Sequence, residues 1–182
     1  MGMKPIPQNT LLSPLDVFQS VEDREACCAQ VIDAESMPEP FRRLLVHERD
    51  MTSTLEAFYG AHVHLRPLMC REREGMYMRL VVLELDVTNQ PVEYGAIQIR
   101  LYPFPDKAKE LIREARQPLG RILADQIFSY RSRPSCFLTL KATPSMQREL
   151  DLDNACVLFA RQNIIEQPGG VCVAKVMEIL PP

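Results

Sequence analysis

The stretch that decides the fold is YMRLVVLELDVTNQPVEYGAIQIRLY, which runs from Tyr77 to Tyr102. Two runs rich in β-branched and aromatic residues flank a short polar link, a composition typical of strands. Pro91 precedes the second run, and proline is tolerated where a strand opens. A link this short joins antiparallel neighbours, because parallel strands need a crossover of about a dozen residues or more. Residues 77–86 and 92–102 are therefore predicted to pair as antiparallel strands.

The same strand-like composition recurs on both sides of this hairpin, at residues 62–71, 136–141, 156–165 and 171–180. Helical patterns are predicted from an N-cap at Ser13 through an apolar stripe ending at Ile32, and at 41–45, 52–59, 106–116, 119–128 and from Pro144. Short links between strands, with helices grouped at the front and middle, predict an α+β fold. It has a six-stranded antiparallel sheet and flanking helices. Residues 1–40 are predicted to form an N-terminal arm and helix, and residues 41–182 the main domain.

Composition limits the class of protein. The chain has 182 residues, of which 46% are apolar, enough for the core of one domain. The formal net charge is -3 and no Lys/Arg cluster dominates, which argues against nucleic acid as the main partner. No signal-peptide core and no apolar run of membrane-spanning length is visible, so we expect a cytoplasmic protein with no membrane contact. The sequence indicates no particular oligomeric state.

The metal-ligating residue types show no ligand spacing. The six cysteines contain no C-x-x-C pair, so they are predicted to be reduced, buried thiols that hold no metal. His62 and His64 share one strand face and offer a metal pair, but a solvent-facing pair is favoured because no acidic or cysteine partner has the right spacing. Glu84, Asp86 and Glu93 are predicted to be exposed face and turn residues. Motifs for a nucleophile elbow, a phosphate-binding loop, a dinucleotide site or a zinc protease are absent from the sequence.

The segment Arg116-Gln117-Pro118-Leu119-Gly120-Arg121-Ile122-Leu123 is the strongest candidate for a binding loop. Pro118 fixes its own backbone angle, and Gly120 allows a close approach to the chain. Free amides at a helix start favour a bound carboxylate, so this segment suits an anionic ligand. An ordinary junction between loop and helix is the alternative interpretation.

Several short segments, taken in their order and spacing, resemble the chorismate lyase superfamily over roughly residues 44–181. They are Leu44-Leu45, Asp50-Met51-Thr52, the strand of Arg79 with the Gln90-Pro91 hairpin and Gly95, Pro118-Leu119-Gly120-Arg121, and Glu178-Ile179-Leu180-Pro181. The resemblance implies a six-stranded antiparallel sheet with an internal ligand pocket closed by helical flaps. It also implies conversion of chorismate to 4-hydroxybenzoate and pyruvate with neither a metal nor an organic cofactor.

The resemblance assigns expected roles to four residues. Arg79 matches the arginine that binds a substrate carboxylate, and the amide of Leu119 matches the donor in the turn. Met51 matches a residue that lines the pocket. Glu178 is the nearest candidate for the catalytic carboxylate, because loss of a ring proton and expulsion of enolpyruvate need a positioned acid or base.

Two departures from the family pattern bear on activity. The lyase has a second arginine directly after the glycine of the return strand, whereas Ala96 follows Gly95 here. Arg100 lies four residues further, on the face of Ala96, and is the expected substitute substrate-binding cation. Counting back from the closing Leu-Pro places the family's glutamate on Met177, so that Glu178 shares the pocket only if a bulge restores its face.

Two functions follow from these observations. One is a cofactor-free lyase acting on chorismate or a related enolpyruvyl or cyclic carboxylate. The other is a noncatalytic protein with the same fold that binds a small aromatic carboxylate, like the ligand-sensing relatives found in transcription regulators. Ala96 favours the binding protein or a changed substrate, and no attached DNA-binding domain is visible in the sequence. The lyase is narrowly favoured, and either function implies a small-molecule carboxylate as the partner.

Overall fold

The computed structural model describes residues 11–125 and 129–182. The strands are β1 (Ala29–Ile32), β2 (Val63–Arg73), β3 (Met76–Leu85), β4 (Pro91–Arg100), β5 (Arg131–Lys141), β6 (Val157–Gln167) and β7 (Val171–Leu180). The α-helices are α1 (Val21–Ala26), α2 (Phe41–Leu45), α3 (Met51–Tyr59), α4 (Asp106–Glu114), α5 (Leu119–Asp125) and α6 (Pro144–Glu149). Two 3₁₀ turns lie at Leu15–Val17 and Ala34–Ser36.

All seven strands belong to one sheet in the order β1-β5-β6-β7-β4-β3-β2, and every neighbouring pair is antiparallel. The predicted α+β class with an antiparallel sheet is confirmed, with one strand more than expected. The central hairpin is β3 and β4, in which Val81 is opposite Gly95. β5 starts at Arg131, ahead of the predicted residue 136, because a register shift between Pro134 and Cys136 accommodates the proline within the ladder.

The prediction of one long N-terminal helix is wrong. The helix begins instead at Ser20, whose side chain accepts from the amide of Asp23 in a capping box, and α1 ends after six residues. The chain then becomes extended, and β1 pairs with β5 from Ala29–Leu140 to Ile32–Phe137. The apolar residues between Leu15 and Ile32 therefore serve a turn, a helix and a strand in succession.

The start of the described chain packs on the main core. Leu11, Leu12, Leu15 and Phe18 are buried in the same apolar cluster as residues of the central strands. Most of the predicted arm, together with the end of the helix predicted to reach residue 128, lies outside the described residues.

The sheet has two covered faces, because side chains of a strand alternate between them. On the first face an apolar cluster joins the N-terminal segment and α6 to Leu80, Val82, Tyr94, Ala96 and Met177, among others. The second face carries one cluster under α4 and α5 and another under α2 and α3. The space between those two clusters contains the candidate site.

The cysteines are less buried than predicted. All six are free thiols, and Cys28 and Cys70 are exposed while the other four are partly covered. Cys70 illustrates the reason: β2 is an edge strand whose second half lies largely in solvent, so a strand-like sequence there gives no burial. In the described part of the chain, no helix is both long and apolar enough to cross a membrane.

Candidate ligand-binding site

A cavity opens on the second face of the sheet, between the starts of α3 and α5. Its empty volume is about 630 Å³, including the space at its mouth. The lining combines apolar side chains from the sheet with a few buried polar groups: Asp50, Met51, Thr52, Leu65, Arg79, Val81, Leu83, Glu93, Gly95, Ile97, Pro118, Leu119, Gly120, Tyr130, Ser132, Asn163, Ile165, Val176 and Glu178. Four of the sequence-predicted site residues, Arg79, Leu119, Met51 and Glu178, thus border one space.

Arg79 is buried at this cavity, and two nitrogens of its guanidinium group have no hydrogen-bond partner. The alternation of β3 places it on the same face as Val81 and Leu83, and its side chain is 1% exposed. Its Nη2 donates to the carbonyl oxygen of Gln117 at 3.0 Å, while Nε and Nη1 have no partner. Burial lowers the pKa of Arg79, because a charge without a counterion is costly away from water. An anion in the cavity would offset that cost.

The segment 116–120 borders the cavity opposite the sheet. Leu119 opens α5, and amides in the first turn of a helix have no partner within it. A Cβ on Gly120 would lie 3.3 Å from the Cβ of Asp50, so the glycine lets α5 approach the start of α3 closely. Asp50 caps α3 by accepting from the amide of Ser53 at 2.8 Å, and Met51 follows it against the cavity.

Glu178 faces the cavity without a bulge in the segment that pairs with β4. Gly95 is its direct partner there, and the register is regular from Tyr94–Ile179 to Ile99–Ala174. Met177 points to the first face, where it is fully buried in the apolar cluster. The one-residue offset from the family pattern therefore leaves a carboxylate, not a methionine, at the cavity.

Arg161 is the partner of Glu178. The two residues are directly opposite on β6 and β7, and Arg161 Nε donates to Glu178 Oε2. Its Nη1 donates to the carbonyl oxygens of Leu45 at 3.2 Å and His47 at 2.9 Å, and its Nη2 to that of Arg49 at 3.3 Å. Arg161 thus ties the carboxylate to the connection that leads into α3. This arginine was not predicted as a site residue from the sequence.

His47 stays neutral beside this guanidinium. Burial, followed by the charge of Arg161, lowers the pKa of His47 to about 4. Its contacts define one tautomer: Nε2–H donates to the carbonyl oxygen of Leu44 at 2.7 Å, and Nδ1 accepts from the amide of Arg49 at 3.1 Å. A neutral imidazole can make both bonds, whereas a protonated one has no acceptor.

Glu93 is a second acidic group in the cavity, and its predicted exposure is wrong. It is 4% exposed and its Oε2 has no partner. Burial, followed by the charge of Glu178, raises the pKa of Glu93 well above its ordinary value, which favours the protonated side chain. A Cβ on Gly95 would lie 2.9 Å from Glu93 Oε1, so the glycine provides the room for this carboxyl group.

The other predicted surface acids are on different parts of the sheet. Glu84 is also buried, contrary to the prediction, but it is paired with Arg66 at 2.6 Å away from the cavity. His64 Nδ1 lies 3.0 Å from Asp86, and His62 lies beside Glu56. Across residues 11–125 and 129–182, no group of three or more His, Cys, Asp or Glu side chains is arranged to hold a metal.

Arg100 does not reach the site, which corrects the expectation that it replaces the family's second arginine. It is exposed at the end of β4 and shares the strand face of Ala96, whereas Glu93, Gly95 and Ile97 are on the cavity face. Ala96 itself is fully buried in the opposite cluster. Strand alternation therefore directs both positions away from the cavity.

Neither the protein-family models nor the curated proteins contain a match to this chain. Solved structures do. PhnF from Mycobacterium smegmatis superposes with a TM-score of 0.58 and 11% identity over 76% of this chain and 66% of that one. The SA0254 gene product of Staphylococcus aureus gives 0.53 and 9% identity over 65% of this chain and 82% of that one. YydK from Bacillus subtilis, described as a possible transcriptional regulator, superposes with a TM-score of 0.51 and 9% identity. The match covers 65% of this chain and 57% of that one.

This chain has a chorismate lyase-like fold. The identities are too low to carry more than the fold, so the resemblance to the superfamily holds at that level. The chain spans about two thirds of PhnF and just over half of YydK.

Proposed function

We propose that this protein binds a small aromatic carboxylate without transforming it. The observation that carries the proposal is Arg79, a buried arginine that lines an internal cavity and has two guanidinium nitrogens without a partner. Charge-assisted hydrogen bonds from arginine to a carboxylate are among the strongest available to a protein, and this ligand class supplies their acceptor. The free amides at the start of α5 add further donors at the rim.

The balance of charge favours one carboxylate on the ligand. Arg79 is the sole arginine or lysine among the described residues that line the cavity. Glu178 is paired with Arg161, the carboxylate of Asp50 is bonded to Ser53, and the raised pKa of Glu93 favours its neutral form. Arg79 is therefore the cation of the described lining that has no carboxylate partner. Chorismate has two carboxylates, and the second would forfeit about 1.5–3 kcal/mol of charged hydrogen bonding.

The apolar side chains that line the cavity between its polar groups favour a ligand with an apolar body. Leu65, Val81, Leu83, Ile97 and Val176 line the cavity from four strands of the sheet. An aromatic ring buries well against such surfaces, while the carboxylate remains at Arg79. 4-Hydroxybenzoate is a suitable first probe.

The likeness to YydK, described as a possible transcriptional regulator, also fits binding better than catalysis. A chorismate lyase is the second candidate, and the presence of Glu178 at the cavity beside Glu93 favours it. In that reaction Glu178 would transfer the proton while Arg79 holds a substrate carboxylate. A cytoplasmic location stays a prediction.

Calorimetry with 4-hydroxybenzoate tests the main proposal. Arg79→Ala should weaken binding about tenfold or more, the scale of a charged hydrogen bond. Arg100→Ala, which removes a cation outside the cavity, is the matched control and should bind as the parent does. Equal affinity of the Arg79 variant and the parent would contradict a carboxylate site at Arg79. Release of pyruvate from chorismate by the parent, lost in Glu178→Gln, would instead establish the lyase.

A further inference from the structure

We infer that the natural ligand is an amino carboxylate, whose protonated amine lies between Glu93 and Glu178 while its carboxylate meets Arg79. This inference rests on the proposed carboxylate site and adds the chemistry of the ligand's other end. It requires a cavity with two distinct poles, an acidic pole with a carboxyl group that has no ion-pair partner, and a path between them.

The two poles are separated along β4. Arg79 lies opposite Ile97, and Glu93 is four residues away on the same strand face. At roughly 3.3 Å per residue, their levels on the strand are about 13 Å apart, a separation shortened by the two side chains. Gly95 lies halfway and contributes no side chain, and Glu93 Oε1 extends over it to within 2.9 Å of the position that a Cβ would take. The carboxyl group is thereby brought toward Arg79, so a ligand that meets both groups spans less than the separation of their levels.

One oxygen of the acidic pole has no hydrogen-bond partner. Glu93 Oε2 is buried without a partner, and Glu178 lies close enough for its charge to act on Glu93. Arg161 does not fill this role, because its Nε is bonded to Glu178 and its terminal nitrogens to backbone carbonyls. The other titratable side chains lining the described cavity are Asp50, Arg79 and Tyr130, and none of them is on β4 or β7.

An ammonium group fits this pole better than a hydroxyl. It supplies three N–H donors and a positive charge, whereas a hydroxyl supplies one donor and no charge. Burial and the charge of Glu178 raise the pKa of Glu93 and favour its protonated form. A ligand cation beside it reverses that preference, since an opposite charge within about 4–6 Å favours the ionised carboxyl. The proton leaves Glu93 for solvent, and the carboxylate that forms pairs with the ligand's –NH₃⁺.

Three ligands that differ at one group test the inference: 4-(aminomethyl)benzoate, 4-(hydroxymethyl)benzoate and 4-methylbenzoate. Titration calorimetry at pH 7 in two buffers of different ionisation enthalpy measures both affinity and proton release. The aminomethyl ligand should bind about tenfold tighter than either of the others. Its binding alone should be accompanied by net proton release, as linkage to a raised carboxyl pKa requires.

Glu93→Gln keeps the size of the side chain and removes the group that can gain or lose a proton. It should abolish the proton release and the advantage of the aminomethyl ligand over the other two. Arg79→Met should weaken all three ligands. If the parent binds all three equally and Arg79→Met abolishes binding, the amine pole is wrong and the carboxylate site stands. If Arg79→Met changes nothing, or no ligand binds, the proposed function falls as well.

Discussion

Arg161 and Glu178 are direct cross-strand neighbours and form an ion pair in which both side chains are almost fully buried, at 0% and 7% exposure. The same arginine binds the carbonyl oxygens that precede α3. One side chain thus holds both a carboxylate at the cavity and the connection to the helix that covers it.

Breaking this pair from one side should be costly. Arg161→Met leaves Glu178 buried without its counterion and frees several backbone carbonyls, and we expect a loss of about 3–5 kcal/mol in the free energy of unfolding. The double variant Arg161→Met, Glu178→Met should recover much of that loss, because the uncompensated charge is gone. Urea denaturation of both single variants and the double variant measures the coupling energy between the two residues. If the losses in unfolding free energy simply add, the prediction is wrong.

Replacing Arg79 should have the opposite effect on stability. Its guanidinium is buried without a counterion, so Arg79→Met should raise the free energy of unfolding of the ligand-free protein by about 1 kcal/mol, even as carboxylate binding is lost. Arg100→Met, at an exposed position, serves as the control and should change stability little. A strongly destabilised Arg79 variant would show that the arginine supports the fold rather than a ligand.

Stability should decline in mild acid through His47. Its pKa in the folded protein, about 4, is below the ordinary value of 6.5, so the unfolded chain binds more protons between those limits. The stabilisation is therefore present above pH 6.5 and is lost as the pH falls toward 4. Because the side chain is only partly buried, we expect a loss on the order of 1 kcal/mol between pH 7 and pH 5.

Urea titrations at the two pH values measure this loss. His47→Asn removes the titrating imidazole, and its unfolding free energy should depend less steeply on pH across the same interval. A parent and a variant with identical slopes would assign the acid sensitivity to other groups.

The fold was predictable where the pattern was long and regular. The alternation and turn chemistry between residues 62 and 102 predict β2, β3 and β4 to within a few residues. The prediction for the N-terminal segment failed because elements of three to six residues are too short to distinguish a helical period from a strand period. The capping box at Ser20 and Asp23 was the local signal that breaks the supposed long helix.

The site was predictable only in part, for a reason that lies in tertiary structure. Arg79, Leu119, Met51 and Glu178 come together in the cavity, although their roles stay predictions. Glu93 and Arg161 were missed because a charged residue in a strand usually indicates the solvent face. Only the pairing of β4, β7 and β6 places Gly95, Glu178 and Arg161 in one row.

Gly95 offers the sharpest test of how this row shapes the cavity. Its added Cβ in Gly95→Ala would lie 2.9 Å from Glu93 Oε1 and 3.3 Å from Val81 Cγ2, so the buried carboxyl must move into the ligand space. We expect ligand affinity to fall about tenfold, with a smaller effect on stability because alanine suits a strand better than glycine. Ala96→Gly, on the opposite face, is the matched control: it should lower the melting temperature and leave the affinity intact. Calorimetry and thermal melts on the two variants separate these effects, and unchanged binding in Gly95→Ala would place the ligand elsewhere.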